Sequence, residues 1–166
     1  DRVNVFADRR TAGEAAALHG IEQIERLLVH TPTGDKITVM FAAAPSQVET
    51  IEALVRLSKG RIDWRRVRIL HMDEWVPAEP EKRISIDKPE SFRNWIVNHL
   101  LGPIAEQHAI PAEELEFHLI DADPPSASGE ALTAEQVADA YGRIIEQFGI
   151  DGIFGGYGEN GHVAFN

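Results

Sequence analysis

The feature that most constrains the fold is a nearly continuous apolar run at residues 36–44, KITVMFAAA. A strand with one face in water alternates apolar and polar residues, whereas a strand covered on both faces is apolar throughout. The run therefore predicts a strand in the middle of a parallel sheet. A second apolar strand is predicted at residues 67–72, VRILHM, and shorter strands are predicted at residues 3–7, 115–120 and 152–156.

Helical segments alternate with these strands. Residues 11–29 place apolar side chains three and four positions apart, which is the spacing of one face of an α-helix. Further helices are predicted at residues 46–59, 91–101 and 133–148. Strands that alternate with helices predict an α/β fold of three layers (αβα), in which helices cover both faces of a Rossmann-like, mostly parallel sheet. We expect a single domain over residues 1–166.

Two helix starts have a recognisable capping pattern. Ser46 with Glu49, and Thr133 with Gln136, fit the capping box, in which the hydroxyl accepts from a free helix N–H and the longer side chain bonds back to the cap residue. Both pairs therefore predict helix N-termini. Gly60 is placed to end the helix that follows Ser46, because glycine adopts the left-handed conformation that closes many helices.

The acidic balance of the chain limits its partners. It has 27 acidic and 16 basic side chains, and a net charge of −11 repels phosphate backbones and anionic membranes. We expect no nucleic-acid or membrane partner, and a cytoplasmic location because no apolar run is long enough to span a membrane. The absence of cysteine excludes disulfides, thiolate metal sites and cysteine nucleophiles. The histidines show no metal-ligand spacing, so we predict no metal site.

Three predicted strands end in segments suited to a ligand, because ligands of parallel α/β sheets bind beyond the carboxyl ends of the strands. The last of these, GYGENGH at residues 156–162, matches the dinucleotide pattern G-x-G-x-x-G. That pattern requires a long helix after it, which the sequence does not offer here. Glycines alone permit a tight turn. Because Asn160 and His162 occupy the same turn, we favour a ligand-binding loop.

Asp73 directly follows the strand at residues 67–72 and precedes Glu74 and Trp75. An aspartate in such a position commonly caps a helix or pairs with an arginine. At a strand end beside an apolar wall such as Trp75, desolvation raises the pKa of a carboxyl and suits it to act as a general base near neutral pH. His71, two residues earlier, lies on the same side of the strand and is expected to support Asp73.

The third strand-end segment leads into a helix and consists of Ala42, Ala43, Ala44, Pro45 and Ser46. The N-terminus of a helix offers free N–H groups and a positive dipole end, which together suit an anion. The alternative is a core strand followed by a capped helix without any ligand. The sequence slightly favours the anion site.

In this order, the motifs resemble those of the glucosamine-6-phosphate deaminase/isomerase family, which shares its fold with the 6-phosphogluconolactonases. Residues 71–75, HMDEW, are similar to the family's (N/T)-x-D-E-Y, and residues 156–166, GYGENGHVAFN, are similar to G-x-G-x-(N/D)-G-H-I-x-F-N-E-P. Residues 90–92, ESF, resemble the E-S-Y that opens the next helix. Lactonases typically have D-E-R and D-G-H-T-A-S-L-F instead, so the deaminase pattern fits better.

The resemblance implies an aldose–ketose isomerisation coupled to loss of ammonia from an amino-sugar phosphate such as glucosamine 6-phosphate. By that resemblance His162 assists opening of the sugar ring, and Asp73 moves a proton from C2 to C1. Asn160 matches a position at which some members have the aspartate that orients the histidine. Gly156 and Gly158 would present backbone groups to the sugar. No redox cofactor or catalytic metal is implied, and a homo-oligomer is possible.

The chain differs from the family's pattern in two respects, and these differences leave other functions open. The family's phosphate loop has roughly the sequence T-G-S-T-P, whereas residues 41–45 here are FAAAP, with Ser46 just after. Each missing hydroxyl contact to a phosphate is worth about 1.5–3 kcal/mol, so another sugar phosphate or an unphosphorylated sugar remains an alternative. The chain also starts without methionine and stops at Asn166 after an apolar run typical of mid-domain sequence, and we expect further strands beyond it. A sugar lactonase and a non-catalytic sugar-phosphate sensor are the alternative functions.

Overall fold

A computed structural model describes residues 3–123, 132–158 and 161–162 of the chain. Helices and strands alternate along it, with short 3-10 turns between some of them. The elements are α1 (Arg9–His30), β1 (Ile37–Phe41), α2 (Val48–Leu57), β2 (Val67–His71), α3 (Phe92–Ile96), a π-helical stretch (Val97–Leu101), α4 (Gly102–His108), β3 (Glu116–His118), α5 (Ala134–Phe148) and β4 (Gly152–Phe154).

The strands form one parallel sheet in the order β3-β2-β1-β4. β1 is central: Phe41 is in register with His71 of β2 on one side and with Phe154 of β4 on the other. All five residues of β1 are buried, as the apolar run predicts for a strand covered on both faces.

Two hydrophobic clusters cover the two faces of the sheet. The larger cluster joins β1 and β2 to α1, α2 and the helical stretch Phe92–His108. The smaller cluster joins Met40 and Leu70, which point to the opposite face, to Val137 and Tyr141 of α5. The predicted three-layer α/β fold with a parallel sheet is therefore confirmed. None of the helices in the described ranges has both the length and the apolar character needed to cross a bilayer.

Several local predictions hold and others are wrong. Thr133 and Gln136 form the predicted capping box at the start of α5, with the backbone N–H of each bonded to the side chain of the other at 2.8 and 3.1 Å. Ser46 does not cap α2, because Pro45–Gln47 forms a 3-10 turn and the helix begins only at Val48. Its expected partner Glu49 instead accepts two hydrogen bonds from Arg9, at 2.7 and 2.8 Å.

The predicted strand at residues 3–7 is wrong. No described strand pairs with it, and Val3 and Val5 are 92% and 91% exposed. A strand is stabilised by its neighbours, and β-forming residues alone do not supply them. The helix predicted at residues 91–101 is longer than expected and continues to His108. Pro103 directly follows the π-helical stretch, within this continuous helical segment.

Candidate functional site

The candidate site lies at the point where the order of the strands in the sheet reverses. From β1 the chain moves outward to β2 and β3, and it then crosses to the other side of β1 to form β4. The strand order thus reverses between β1 and β4, and ligands of parallel α/β sheets bind at the carboxyl ends of the strands at such a point. All three segments singled out in the sequence leave strands at this edge.

The segments after β1 and β4 touch each other. A Cβ atom on Gly156 would lie 2.6 Å from Ser46 Oγ, so only a glycine allows this approach. The backbone N–H of Ala42 donates to Phe154 O at 2.9 Å and so extends the ladder between the two strands. Ala42 is therefore held by the sheet, whereas Ala43, Ala44 and Ser46 lie progressively closer to the surface.

Gln47 was not predicted from the sequence, yet its side chain joins the two strand ends. It is 3% exposed, and its Nε2 donates to Ala42 O at 3.3 Å and to Phe154 O at 3.1 Å. These carbonyls lie just where the sheet ends, and Phe154 O accepts from Gln47 in addition to Ala42 N. A glutamine after a proline and a serine carries no sequence signal for such a role.

His162 lies over Gly158 in a tight turn. Gly158 N donates to His162 O at 2.8 Å, and Gly161 N donates to Gly158 O at 2.9 Å. Gly161 has a φ of 83°, a conformation that glycine adopts without strain. A Cβ on Gly158 would come within 2.2 Å of His162 Cε1, so the imidazole occupies the space that any other residue would fill. Asn160, the predicted orienting residue, lies outside the described residues.

Asp73 is half-buried at the end of β2. Burial raises the pKa of its carboxyl, the negative charge of Glu74 raises it further, and the charge of His162 lowers it. The net effect is a pKa above the ordinary value of an aspartate. The predicted base and the predicted histidine are thus close enough to influence each other electrostatically, although they come from loops 89 positions apart in the chain.

The neighbouring carboxylate, Glu74, has a different environment. It accepts hydrogen bonds from Ser91 Oγ at 2.7 Å and from the backbone N–H groups of Phe92, Arg93 and Trp75 at 3.0–3.1 Å. Arg93 Nε also donates to it at 3.0 Å. Burial alone would raise the pKa of Glu74, but these donors outweigh it and lower the pKa. Glu74 therefore stays ionised and fixes the start of α3, a role that the sequence did not reveal.

His71 lies in the core at the end of β2. It is fully buried and desolvation lowers its pKa to about 4, so the imidazole is neutral at physiological pH. Its Nδ1 accepts from Ile120 N at 3.4 Å, and no hydrogen-bond partner of its Nε2 is found among the residues that the structure describes. The hydroxyl of Tyr141 donates to His71 O at 2.7 Å and accepts from His71 N at 3.0 Å, which ties α5 to the end of β2.

A groove of about 750 Å³ runs along β4 and α1 and reaches the site. Its upper end is lined by Ser46, Gln47 and Gly156, but Asp73 and His162 do not line it. The groove follows the outer edge of β4, with which no described strand pairs. In the described part of the chain, no three His, Asp or Glu side chains come together in an arrangement that could hold a metal ion.

Comparisons with known proteins agree with the motifs. The chain is 34% identical over 146 residues to a glucosamine-6-phosphate deaminase from Porphyromonas gingivalis, in a match that covers 86% of this chain and 48% of the relative. It is 27% identical over 167 residues to the enzyme of the same name from Cronobacter sakazakii, which covers 99% of this chain and 55% of the relative. The chain thus spans about half the length of these relatives. No protein-family model matches it.

Solved structures agree in fold. A monomeric glucosamine-6-phosphate deaminase matches with a TM-score of 0.69 at 17% identity, over 98% of this chain and 58% of that one. A 6-phosphogluconolactonase from Shewanella baltica matches with a TM-score of 0.68 at 18% identity, over 96% of this chain and 58% of that one. At these identities the structures establish a shared fold. Together with the sequence relatives, they confirm the resemblance drawn from the motifs.

Proposed function

We propose that this chain, a relative of the glucosamine-6-phosphate deaminases, forms the strand-end part of a site that converts an amino-sugar phosphate into a ketose phosphate and ammonia. The observation that supports this most is the raised pKa of Asp73, together with the electrostatic influence of His162 on that carboxyl. A carboxylate that removes a proton from carbon and an imidazole that moves a proton between oxygens are the two groups such an isomerisation needs.

Each group has one task in the proposed reaction. His162 transfers a proton from the C1 hydroxyl to the ring oxygen, which opens the sugar to its aldehyde form. Asp73 then removes the proton at C2, which gives an enolamine, and returns it to C1. The product is a 2-imine, and addition of water to C2 releases ammonia and leaves the ketose. The raised pKa of Asp73 favours the proton transfer, because a carboxylate of higher pKa is a stronger base.

The segment that includes Ala43, Ala44 and Ser46 is proposed to receive the anionic end of the substrate. It lies at the same edge of the sheet, and Ser46 Oγ lies against Gly156 of the facing loop. With a single hydroxyl, the segment would bind phosphate mainly through backbone N–H groups. We therefore propose that glucosamine 6-phosphate or a close amino-sugar phosphate is the substrate, and that the phosphate adds less affinity than a hydroxyl-rich loop would provide.

The test is to measure release of ammonia and fructose 6-phosphate from glucosamine 6-phosphate by the natural polypeptide that contains this sequence. Asp73→Asn should abolish both products, and it should abolish exchange of the C2 proton with deuterium from solvent. Asp87→Asn is the matched control, because Asp87 is an exposed aspartate in the loop that follows Trp75. The control should keep wild-type turnover.

Two alternatives give distinct results in the same assays. A sugar lactonase, the activity named for one of the structural neighbours, would release acid from 6-phosphogluconolactone without exchange at C2. A sensor would bind a sugar phosphate without turnover, and its affinity would be the same in Asp73→Asn. Either result would overturn the proposed deamination.

A further inference from the structure

Glu74, the residue that follows the proposed base Asp73, forms a buried ion pair with Arg93. The side chain of Glu74 is 1% exposed and that of Arg93 is 3% exposed, and Arg93 Nε donates to Glu74 Oε2 at 3.0 Å. Replacing a buried ion pair with apolar residues of similar size often leaves a protein equally stable, because desolvation offsets the attraction of the charges. Stability alone therefore does not account for a carboxylate held here by donors from Trp75, Ser91, Phe92 and Arg93.

The rest of the Arg93 guanidinium contacts two other parts of the molecule. Nη1 lies 3.1 Å from Asp123 Oδ2, in the segment after β3, and Nη2 donates to Ile84 O at 2.7 Å. Asp123 Oδ1 accepts from Ile86 N at 2.9 Å. One guanidinium thus links the end of β2, the start of α3, the segment after β3 and the loop at residues 76–90. Only the planar fork of an arginine can make all of these bonds at once.

We propose that Glu74 and Arg93 form a positioning pair, which holds the backbone of residues 73–75 in place and keeps a fixed negative charge beside Asp73. The assignment of Asp73 as the base rests on the proposed function, whereas the geometry of the pair does not. Asp73 itself interacts with the charges of Glu74 and His162. Behind Glu74 lie Arg93 and the buried imidazole of His71.

The pair has an electrostatic consequence that a purely structural contact would not have. The charge of Glu74 raises the pKa of Asp73, after the larger effect of burial. If Glu74 is replaced by glutamine, its negative charge is lost and the positive charge of Arg93 remains, so Asp73 ionises more readily. A residue that only stabilised the fold would leave the titration of Asp73 unchanged.

The first experiment measures the titration of Asp73 by carboxyl-detected NMR, with the signal assigned by its loss in Asp73→Asn. In Glu74→Gln we expect the titration midpoint of Asp73 to fall, because the charge of Glu74 raises it in the wild type. Glu116→Gln is the matched control, because it also breaks a partly buried carboxylate–arginine pair, but at the opposite edge of the sheet. An unchanged midpoint in folded Glu74→Gln would overturn the proposal.

The second experiment tests whether the pair holds the surrounding backbone in place. It does not require Glu74→Gln to fold. Arg93→Lys keeps the positive charge but cannot bond to Glu74, Asp123 and Ile84 O together. We expect amide exchange at Ile86 to be at least about 10-fold faster, because Asp123, which accepts from that amide, is no longer held by the guanidinium. Exchange at the wild-type rate would contradict the positioning role.

Activity separates this inference from the proposed function. If the natural polypeptide releases ammonia, the acid limb of kcat/KM should move to lower pH in Glu74→Gln by the same amount as the NMR midpoint. A shifted midpoint without any ammonia release would support the pair and overturn the deaminase. Ammonia release with an unshifted midpoint and an unshifted acid limb would support the deaminase and overturn the pair.

Discussion

At the scale of single residues, the missing side chain of Gly158 decides where His162 lies. The imidazole fills the space that a Cβ would occupy, with Cε1 2.2 Å from the ideal Cβ position. In Gly158→Ala the ring must move away, and displacement of a catalytic group by about 1 Å costs on the order of 100-fold in rate. We expect kcat for ammonia release to fall by about that factor, with little change in the midpoint of urea unfolding.

The control for Gly158→Ala lies in the same loop. A Cβ on Gly155 would meet nothing closer than Met72 Cε at 3.9 Å, which is ordinary contact. Gly155→Ala should therefore retain wild-type kcat. Equal losses in both variants would mean that the loop tolerates no side chain at all, and that the contact between Gly158 and His162 has no special role.

His71 predicts a pH dependence of stability. Desolvation lowers its pKa to about 4, with a smaller lowering by Arg93 that opposes the raising effect of Glu74. Because the unfolded state binds a proton near pH 6.5 and the folded state does not, stability falls as the pH drops from about 6.5 to about 4. The loss should be on the order of 3 kcal/mol, measured by urea unfolding across this range.

His71→Phe should flatten that pH dependence between pH 6.5 and 5, because a phenyl ring does not titrate. His19→Gln, at an exposed position of α1, is the matched histidine control and should keep the wild-type slope. If His71→Phe and the wild type lose the same free energy of unfolding in this range, protonation of His71 does not oppose folding.

At the scale of elements, the crossing of α1 and α2 depends on a glycine. A Cβ on Gly13 would lie 2.7 Å from Glu49 Cβ and 2.8 Å from its backbone carbon, so the two helices would have to separate. Gly13→Ala should destabilise the protein by about 1–3 kcal/mol through overpacking, despite the better helix propensity of alanine. Urea unfolding of the variant measures this loss.

Gly142 provides the opposite case within α5. A Cβ there would meet no atom within 4 Å, so Gly142→Ala should stabilise the protein by about 0.5–1 kcal/mol through the unfolded chain. Both variants replace a helical glycine with alanine. Gly13→Ala is expected to destabilise the protein, whereas Gly142→Ala is expected to stabilise it. If Gly13→Ala were also stabilising, close contact would not determine the crossing of α1 and α2.

The sequence predicted the elements whose signal is local and periodic. The apolar run of β1, the stripe of α1 and the capping box at Thr133 each depend on residues a few positions apart, and all are present. The strand at residues 3–7 failed because strand formation depends on a distant partner. Ser46 failed as a cap because a proline directly before it favoured a 3-10 turn. A local sequence pattern cannot predict whether a strand finds a partner or whether a 3-10 turn replaces a helix cap.

The site was predictable where strand ends and motifs coincide. Asp73 and His162 follow this rule, because parallel strands bring their carboxyl ends to one edge. Gln47 and Arg93 do not follow it, since their partners lie on other strands or loops and a lone glutamine or arginine in a helix normally faces solvent. Their burial became apparent only from the three-dimensional arrangement.

At the scale of the whole molecule, the two ends of the sheet have different polar arrangements. The carboxyl ends of the strands carry the half-buried Asp73 and the loops around it. The opposite end carries a cluster around Glu116 of β3, which pairs with Lys36 at 2.7 Å and with Arg68 of β2. Arg68 also covers the ring of Phe148 at 3.6 Å, at the end of α5. This cluster joins the sheet to α5.

The Glu116 cluster should contribute to unfolding at pH values below about 4.5. Burial opposes ionisation of Glu116, but Lys36 and Arg68 outweigh it and lower its pKa to about 2. Because the folded-state pKa is below the unfolded value, the stabilisation is complete above about pH 4.5 and is lost as the pH falls towards 2. Glu116→Gln should lower the free energy of unfolding by about 2–3 kcal/mol at pH 7, and the difference from wild type should vanish near pH 2.

Glu113→Gln, at an exposed position nearby, should show no such convergence. A difference that stays constant from pH 7 to pH 2.5 would assign the loss to packing and would exclude the charge of Glu116 as its cause.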